Sequence, residues 1–346
     1  MDIAGRRIGG GVPTYIVAEM SANHQRELKR AMALVDAAAE AGADAVKLQT
    51  FTPDTMTIAS DKEHFRISGG LWNGRTLYEL YQEAAMPWDW QPELTVHARQ
   101  RGLQLFSTPF DETAVDFLET LDVPAYKIAS FELTDHPLLG KVARTGKPVI
   151  LSTGMASRDE IGAAVRVLRD HGAGAIALLK CTSAYPARPE EMNLRVLKRL
   201  AEEFGTPVGL SDHTLGDTVA ITAVTLGAAI LEKHLTLARK DGGLDAAFSL
   251  EPDEFSRMVR AIRTTEAALG SGEIQTAPGE SANRIFRRSI FVVQDTHAGE
   301  PFTPDNIRVI RPGHGLAPAH FDEILGKRAV ADISRGTPLN WDLIAL

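Results

Sequence analysis

Eight short apolar segments alternate with helix-like patterns over residues 1–270, and this alternation constrains the fold more than any other feature. Most of these segments are apolar at their centre, as strands covered on both faces should be. The predicted strands are Tyr15–Glu19, Ala45–Gln49, Leu103–Ser107, Ala125–Ile128, Pro148–Ser152, Ile176–Cys181, Val208–Ser211 and Ala229–His234. Eight strand–helix units of this length predict an α/β fold, a (β/α)8 TIM barrel. A doubly wound open sheet is the alternative, but no GxGxxG sequence follows the first strand.

Helical periodicity fills most of the intervals between the predicted strands. Leu28, Met32 and Val35 share one helix face, and Gly42 stands where a C-terminal cap belongs. Similar patterns cover Glu112–Leu121, Arg158–His171, Pro189–Phe204 and Asp253–Leu269.

One connection, from Thr50 to Gly102, is much longer than the others and rich in aromatic residues. Connections of this length are usually functional or contain their own helices. Two interpretations stay open: a substrate lid, and a helix over Leu77–Ala84 packed on the exterior of the barrel.

The composition changes after Gly270. We predict a barrel domain over residues 1–270, a linker over 271–286 and a small, mainly β domain over 287–346. Its predicted strands are Ser289–Val293, Arg308–Ile310 and Ala329–Ile333. A domain of this size is marginally stable alone, so we expect it to pack on a barrel, either its own or that of a partner chain.

Charge and cysteine content exclude several functional classes. Asp and Glu (45) outnumber Lys and Arg (37), and the net charge of -8 argues against nucleic-acid or anionic-membrane partners. No apolar run approaches the roughly 18 residues of a membrane helix, and the N-terminal sequence lacks the apolar stretch of a secretory signal. A single cysteine, Cys181, fits a reducing compartment. We therefore expect a cytoplasmic protein.

Polar residues stand at the C-terminal end of every predicted strand. Active sites of TIM barrels lie at this end, so these side chains are expected to converge on one mouth. They are Glu19; Lys47 and Gln49; Ser107 and Thr108; Lys127 and Ser130; Ser152 and Thr153; Thr182, Ser183 and Tyr185; Ser211, Asp212 and His213; Glu232, Lys233 and His234.

His213 and His234 end adjacent predicted strands, so their imidazoles could bind one metal ion. Two histidines leave positions for water and substrate, which suits Mn²⁺ or Mg²⁺, with Zn²⁺ as a further candidate. The alternative is that each imidazole is a hydrogen-bonded strand-end side chain without a ligand.

Lys47 and Lys127, with neighbouring serines, could form a cradle for a phosphate or carboxylate group. Lys127 could instead form a Schiff base with a carbonyl substrate. Glu19 could move a proton, or it could hold Lys47 in a salt bridge. Ser21 or Asn23 is predicted to cap the helix that follows.

A family resemblance covers nearly the whole chain, in order. The motifs are AEMSANH (18–24), AVKLQT (45–50), STPFD (107–111), YKIAS (126–130), ILSTGM (150–155), LLKCTSAYP (178–186), VGLSDHT (208–214) and LEKHLT (231–236). Together they resemble the sialic acid synthase family, and RRSIFVVQD (287–295), IRPGHGL (310–316) and ILGKRA (324–329) resemble its antifreeze-like (SAF, β-clip) domain. SGGLWNGRTLYELYQEA (68–84) and DAAFSLEP (245–252) are most similar to pseudaminic acid synthases within that family. Neuraminate synthases typically have Asn in place of Ser183 and Arg in place of Lys233.

The resemblance implies a metal-dependent condensation of phosphoenolpyruvate with an open-chain N-acetylated amino sugar. It implies that His213 and His234 bind Mn²⁺, or alternatively Mg²⁺ or Co²⁺, and that Glu19 and Lys127 act in catalysis. Phosphoenolpyruvate would bind Lys47, Thr108, Lys127, Ser130, Ser183 and Ser211, and the sugar would contact Gln49, Tyr185, Asp245 and Arg311. Arg311 would come from the other subunit of a domain-swapped homodimer. Neuraminic or legionaminic acid synthesis is the alternative reaction, and a non-catalytic carbohydrate-binding protein is the alternative of a different class.

Overall fold

The computed structural model describes residues 1–345. The chain divides into two compact units, one spanning Met1–Gly270 and one beginning at Ser271. No helix within residues 1–345 combines the length and apolar character needed to cross a membrane.

Eight parallel strands close into a barrel in the first unit, so the predicted barrel is confirmed and the open sheet is wrong. A short hairpin of β1 (Asp2–Ile3) and β2 (Arg6–Arg7) precedes it. The barrel strands are β3 (Tyr15–Glu19), β4 (Ala45–Thr50), β5 (Gln104–Pro109), β6 (Tyr126–Ile128), β7 (Val149–Ser152), β8 (Ile176–Cys181), β9 (Val208–Asp212) and β10 (Ile230–His234). β10 pairs with both β9 and β3, which closes the sheet.

Helices occupy the connections between the strands, and most lie where the periodicity predicts them. They are α1 (Leu28–Ala41), α2 (Pro53–Met56), α3 (Leu77–Ala84), α4 (Gln91–Gln100), α5 (Glu112–Thr120), α6 (His136–Ala143), α7 (Arg158–Asp170), α8 (Val196–Phe204), α9 (Thr218–Thr225) and α10 (Pro252–Leu269). Gly42 ends α1 with a left-handed φ of 86°. The helix predicted to begin at Pro189 begins only at Val196, because Asn193 adopts a positive φ of 45° that interrupts the helical path.

The strands have a period of two that sorts their side chains between the helices and the barrel interior. In β10, Ile230 packs in the inner apolar cluster, whereas Leu231 packs in the outer cluster against the helices. The inner cluster comprises Ile3, Ile8, Tyr15, Val17, Ala45, Phe106, Ala125, Ile150, Ala177, Leu179 and Ile230. The same alternation turns the side chains of Glu232 and His234 toward the barrel interior, where they lie above the inner apolar cluster.

In the second unit, a two-stranded antiparallel sheet of β11 (Ser289–Val292) and β12 (Ile307–Ile310) packs on its own apolar core. The strand predicted at Ala329–Ile333 is wrong. Ala329 makes an isolated bridge with Ile344 and Ile333 makes one with Thr296, so the segment changes partner before a ladder can form. The unit also contains α11 (Phe321–Ile324), and a 3₁₀ helix spans Pro278–Phe286 within the predicted linker.

Candidate active site

A cavity of about 650 Å³ opens at the C-terminal ends of the barrel strands. Its position is the one that the strand-end polar residues predict for a barrel of this class. The predicted site residues on its wall are Glu19, Lys47, Gln49, Lys127, Ser130, Tyr185, Ser211, His213, His234 and Asp245. Residues from all parts of the first unit thus meet in one concave space.

Three predicted site residues do not line this cavity. Thr108 is fully buried behind Lys47 and accepts a hydrogen bond of 3.1 Å from its Nζ. The Ser183 Oγ lies 3.8 Å from the Sγ of Cys181, and Ser183 is half-buried. Arg311 is an exposed residue of the second unit.

Gly154 explains how two serines approach each other closely. Its backbone N–H donates to the Ser130 Oγ at 3.0 Å. A Cβ at this position would lie 2.3 Å from the Ser183 Oγ and 2.6 Å from the Ser130 Oγ. Only a residue without a side chain leaves room for both hydroxyls.

Two ammonium groups and two carboxylates form a buried network at the floor of the cavity. Lys47 Nζ lies 2.8 Å from Glu19 Oε2 and 3.5 Å from Glu232 Oε1. Lys127 Nζ lies 3.8 Å from Glu232 Oε2 and donates to the Ser152 Oγ at 2.7 Å. Both interpretations of Glu19 therefore remain, since its salt bridge to Lys47 is present and its carboxylate also faces the cavity.

Burial and these charges shift the proton affinities of the network in different directions. Burial, reinforced by the neighbouring Glu232 and only partly offset by Lys47, raises the pKa of Glu19 to about 7. Burial also lowers the pKa of Lys127. Burial works in the same direction on Lys47, but Glu19 and Glu232 outweigh it and raise the pKa of that ammonium group. A carboxyl group with a pKa near neutrality is suited to proton transfer.

The two predicted metal-binding imidazoles lie side by side. The ring centroids of His213 and His234 are 5.3 Å apart, with the planes inclined at 66°. His213 Nδ1 lies 3.0 Å from the Thr182 carbonyl oxygen and donates to it, which leaves Nε2 free as a ligand. His234 Nδ1 is buried without a hydrogen-bond partner. Within residues 1–345, no third His, Cys, Asp or Glu completes a cluster with them.

Amide, hydroxyl and carboxylate groups continue the wall beside Glu19. Gln49 Nε2 donates to Glu19 Oε1 and to Ser21 Oγ, both at 3.0 Å, and Ser21 Oγ hydrogen-bonds to Asp245. The predicted capping role of Ser21 or Asn23 is wrong, because Glu27 occupies the N-cap position of α1. Ser21 and Asn23 instead lie in a buried 3₁₀ turn that fastens this wall to the loops after β10.

The long connection between β4 and β5 supplies an aromatic and aliphatic part of the wall. The helix predicted at Leu77–Ala84 is confirmed, and its residues line the cavity. Trp72 Nε1 donates to the Leu244 carbonyl oxygen at 3.2 Å, and its ring lies 5.8 Å from that of Tyr185. Tyr185 in turn lies 4.5 Å from His213, so this segment reaches the imidazole pair through one aromatic ring.

Sequence reasoning assigned no role to several side chains that line the cavity. Glu232 was detectable, since it stands two residues before His234 on a strand and must face the same side. Glu132, Trp72 and Cys181 gave no comparable signal. The expectation that Lys233 and Asp212 reach the mouth is wrong, because both side chains are buried away from the cavity and pair with each other at 2.7 Å. The Lys that stands where neuraminate synthases typically have Arg therefore does not line the cavity.

The chain matches the NeuB family model over residues 34–274 and the SAF domain model over residues 287–345. It is 45% identical to the pseudaminic acid synthase of Helicobacter pylori over 331 residues, covering 95% of this chain and 97% of that protein. It is 43% identical to the pseudaminic acid synthase of Campylobacter jejuni over 325 residues, covering 94% of this chain and 95% of that protein.

Among solved structures, the N-acetylneuraminic acid synthetase of Leptospira borgpetersenii, in complex with citrate, superimposes with a TM-score of 0.74. Its sequence is 30% identical, and the match covers 82% of this chain and 94% of that chain. The predicted family resemblance is thereby confirmed over both units. The chain belongs to the NeuB family, the sialic acid synthases, and carries a SAF domain.

Proposed function

We propose that this protein is a pseudaminic acid synthase. It condenses phosphoenolpyruvate with 2,4-diacetamido-2,4,6-trideoxy-β-L-altropyranose, in its open-chain form, and releases pseudaminic acid and phosphate. One observation carries this proposal: two lysines, two carboxylates and two imidazoles line the same cavity. They are Lys47, Lys127, Glu19, Glu232, His213 and His234. The similarity to pseudaminic acid synthases over more than nine-tenths of the chain supports the choice of sugar.

Phosphoenolpyruvate binds to the basic side of the cavity. Lys47 and Lys127 supply positive charge, and the hydroxyls of Ser130 and Ser211 supply directed donors. Thr108 acts from behind this wall by holding Lys47, and the half-buried Ser183 beside Cys181 supplies a further hydroxyl to phosphoenolpyruvate.

A divalent metal ion is assigned to His213 and His234, with Mn²⁺ favoured over Mg²⁺ or Co²⁺. The residues fit such an ion, because His234 Nδ1 is buried without a partner and His213 Nδ1 is fixed by the Thr182 carbonyl. When bound, the ion polarises the sugar aldehyde as a Lewis acid.

Carbon–carbon bond formation joins C3 of phosphoenolpyruvate to the aldehyde carbon, and the aldehyde oxygen gains a proton. Water then adds to C2 and loses a proton, after which the C2–O bond to phosphate breaks, the hydroxyl proton at C2 passes to the departing phosphate, and C2 becomes a carbonyl carbon. Glu19, whose pKa is raised to about 7 by burial, gives its proton to the sugar oxygen in the first step and takes up the proton of the water in the second. Lys127 stabilises the negative charge of the departing phosphate.

The sugar lies against Gln49, Tyr185 and Asp245, which line the same cavity as Glu19. Arg311, exposed on the SAF domain, completes the sugar site from a second subunit in a domain-swapped homodimer. A guanidinium group suits this role because its fixed donors can hold an acetamido carbonyl oxygen.

Phosphate release from phosphoenolpyruvate tests the assignment, with the precursors of pseudaminic, legionaminic and neuraminic acids supplied in parallel. We expect turnover with the altrose derivative, and we expect EDTA to abolish it and Mn²⁺ to restore it. Turnover confined to another precursor would reassign the sugar. A pyruvate adduct trapped by borohydride would favour a Schiff base on Lys127, and sugar binding without any turnover would favour a carbohydrate-binding protein.

A further inference from the structure

A buried ion pair lies behind the wall of the cavity, on the outer side of β9 and β10. Lys233 Nζ lies 2.7 Å from Asp212 Oδ2, and both side chains are completely inaccessible to solvent. Leu210 and Leu231, two residues before them on their strands, pack in the outer apolar cluster, so the pair faces the same side of the sheet. Neither charged group lines the cavity, so neither contacts a substrate bound there.

Thr214 closes a ring of hydrogen bonds around this pair. Its backbone N–H and its hydroxyl donate to Asp212 Oδ1, at 2.9 and 2.8 Å. Its carbonyl oxygen accepts a further hydrogen bond from Lys233 Nζ. Both oxygens of the carboxylate are therefore engaged, and the chain from Asp212 to Thr214 is held in a turn that is fastened to β10.

Each member of the pair directly precedes one of the two imidazoles assigned to the metal. His213 lies inside the turn from Asp212 to Thr214, and His234 follows Lys233 at the end of β10. Lys233 lies opposite Asp212 in the register of the barrel, so the two histidines leave neighbouring strands at the same level. Because successive side chains of a strand point to opposite faces, residues held outward at these positions turn the next side chains inward.

Stability alone does not account for a charged pair at this position. Apolar residues of similar volume often replace a buried ion pair with no loss of stability, or with a gain. Apolar contacts are non-directional, whereas the polar contacts of Asp212, Thr214 and Lys233 fix both distances and angles. A metal site needs this accuracy, because the distances from an ion to its ligands are defined to within about 0.2 Å.

We propose that Asp212 and Lys233 are positioning residues for the metal site, and that their ion pair, closed by Thr214, sets the separation and orientation of His213 and His234. This inference rests on the proposed function, which assigns the metal ion to these two imidazoles. The His213 ring is fixed separately by a backbone carbonyl oxygen, so the ion pair acts on the backbone from which the rings project. Loss of the pair should weaken metal binding although both ligands are still present.

The test measures the Mn²⁺ affinity of Asp212→Asn, Lys233→Met and the double variant, from the electron paramagnetic resonance signal of free Mn²⁺ during a titration. Each single variant leaves a buried polar or charged group without its partner, so it should be less stable in urea than the wild type. Each should also bind Mn²⁺ about 10- to 100-fold more weakly, the usual loss when a residue that orients metal ligands is changed. The double variant buries neither charge, and it should regain stability over the single variants without regaining Mn²⁺ affinity.

Arg263→Met is the matched control. Arg263 Nη2 forms a salt bridge of 3.2 Å with Asp44, which directly precedes β4 at the opposite end of the barrel. This variant should be less stable than the wild type and should keep the wild-type affinity for Mn²⁺. Loss of stability and loss of metal affinity are thereby measured independently.

Steady-state kinetics supply a second measurement. In the variants of the ion pair, the Mn²⁺ concentration that gives half-maximal activity should rise by about 10- to 100-fold. The KM for phosphoenolpyruvate at saturating Mn²⁺ should stay at its wild-type value.

Wild-type Mn²⁺ affinity in the single variants, or a double variant that regains affinity together with stability, would overturn the positioning role. The double variant keeps the test decisive where a single variant fails to fold, because it contains no unpaired charge. A wild-type protein that binds no Mn²⁺ would instead overturn the metal assignment in the proposed function.

Discussion

Among residues 1–345, Glu232 is the single carboxylate that lies within salt-bridge distance of both Lys47 and Lys127, the lysines assigned to phosphoenolpyruvate. Its oxygens are 3.5 Å from Lys47 Nζ and 3.8 Å from Lys127 Nζ, and all three side chains are almost completely buried. Each of these contacts corresponds to about 4 to 5 kcal/mol of Coulomb attraction at an effective dielectric constant of about 20. The substitution Glu232→Gln removes this attraction and leaves the two ammonium groups facing each other with only Glu19 to compensate.

Much of that attraction offsets the cost of burying the charges, so the net effect is smaller than the sum. Removing one partner of a buried charge cluster typically costs about 3 to 5 kcal/mol, and we expect Glu232→Gln to lower the free energy of unfolding of the barrel by this amount. Phosphoenolpyruvate brings negative charge to the same lysines. It should therefore raise the melting temperature of the variant by more than it raises that of the wild type.

Urea unfolding measures the first effect, and thermal unfolding with and without phosphoenolpyruvate measures the second. Glu202→Gln is the matched control, since its carboxylate lies 3.7 Å from Lys198 Nζ on the surface of α8. Such exposed pairs contribute about 0 to 1 kcal/mol. A destabilisation by Glu232→Gln no larger than that of the control, or a stabilisation by phosphoenolpyruvate no larger in the variant than in the wild type, would contradict this role of Glu232.

Four further predictions concern single residues. Burial lowers the pKa of His24 from 6.5 to about 4, so between these pH values the unfolded chain binds a proton that the folded chain does not. The free energy of unfolding should therefore fall by about 3 kcal/mol as the pH is lowered from 6.5 to 4. His24→Gln should remove this part of the pH dependence, as measured by urea unfolding. Gly154→Ala should raise the KM for phosphoenolpyruvate by about 10-fold or more, because the new Cβ displaces the hydroxyls of two serines; an unchanged KM would remove those serines from the anion site. His234→Ala should fold but lose most of its bound metal, as measured by elemental analysis of the purified protein; full metal content would exclude His234 as a ligand. Arg311→Ala should raise the KM for the sugar by about 10-fold and leave the KM for phosphoenolpyruvate unchanged, and equal values to the wild type would exclude its role in the sugar site.

The barrel was predictable because its signals are local and repeated. Each strand is a short apolar run between helical segments, and Gly42 marks the end of a helix whose left-handed C-cap needs a residue without a side chain. The start of α8 was not predictable in this way, because the positive φ of Asn193 depends on packing that the periodicity does not contain. The segment Ala329–Ile333 has a strand-like composition, but its bridging partners lie in two different parts of the second unit.

The sequence showed which strand ends carry polar side chains, but it showed less well which of those side chains face the cavity. Lys47, Lys127 and His234 face the cavity, as expected for side chains that alternate inward at the mouth of a barrel. Glu232 follows from the same alternation, yet its position between two lysines depends on the register of three strands. Glu132 was beyond prediction, because only the folded chain shows that its carboxylate oxygen is buried without a partner.

Phosphoenolpyruvate labelled with ¹⁸O in the oxygen that bridges C2 and phosphorus gives the most direct test of the proposed reaction. The enzyme is incubated with this substrate, Mn²⁺ and the diacetamido sugar, and the released phosphate is analysed by mass spectrometry. Cleavage of the C2–O bond predicts that the label leaves with phosphate while a nonulosonic acid accumulates in equal amount. Unlabelled phosphate, or phosphate formed without the sugar acid, would contradict the account.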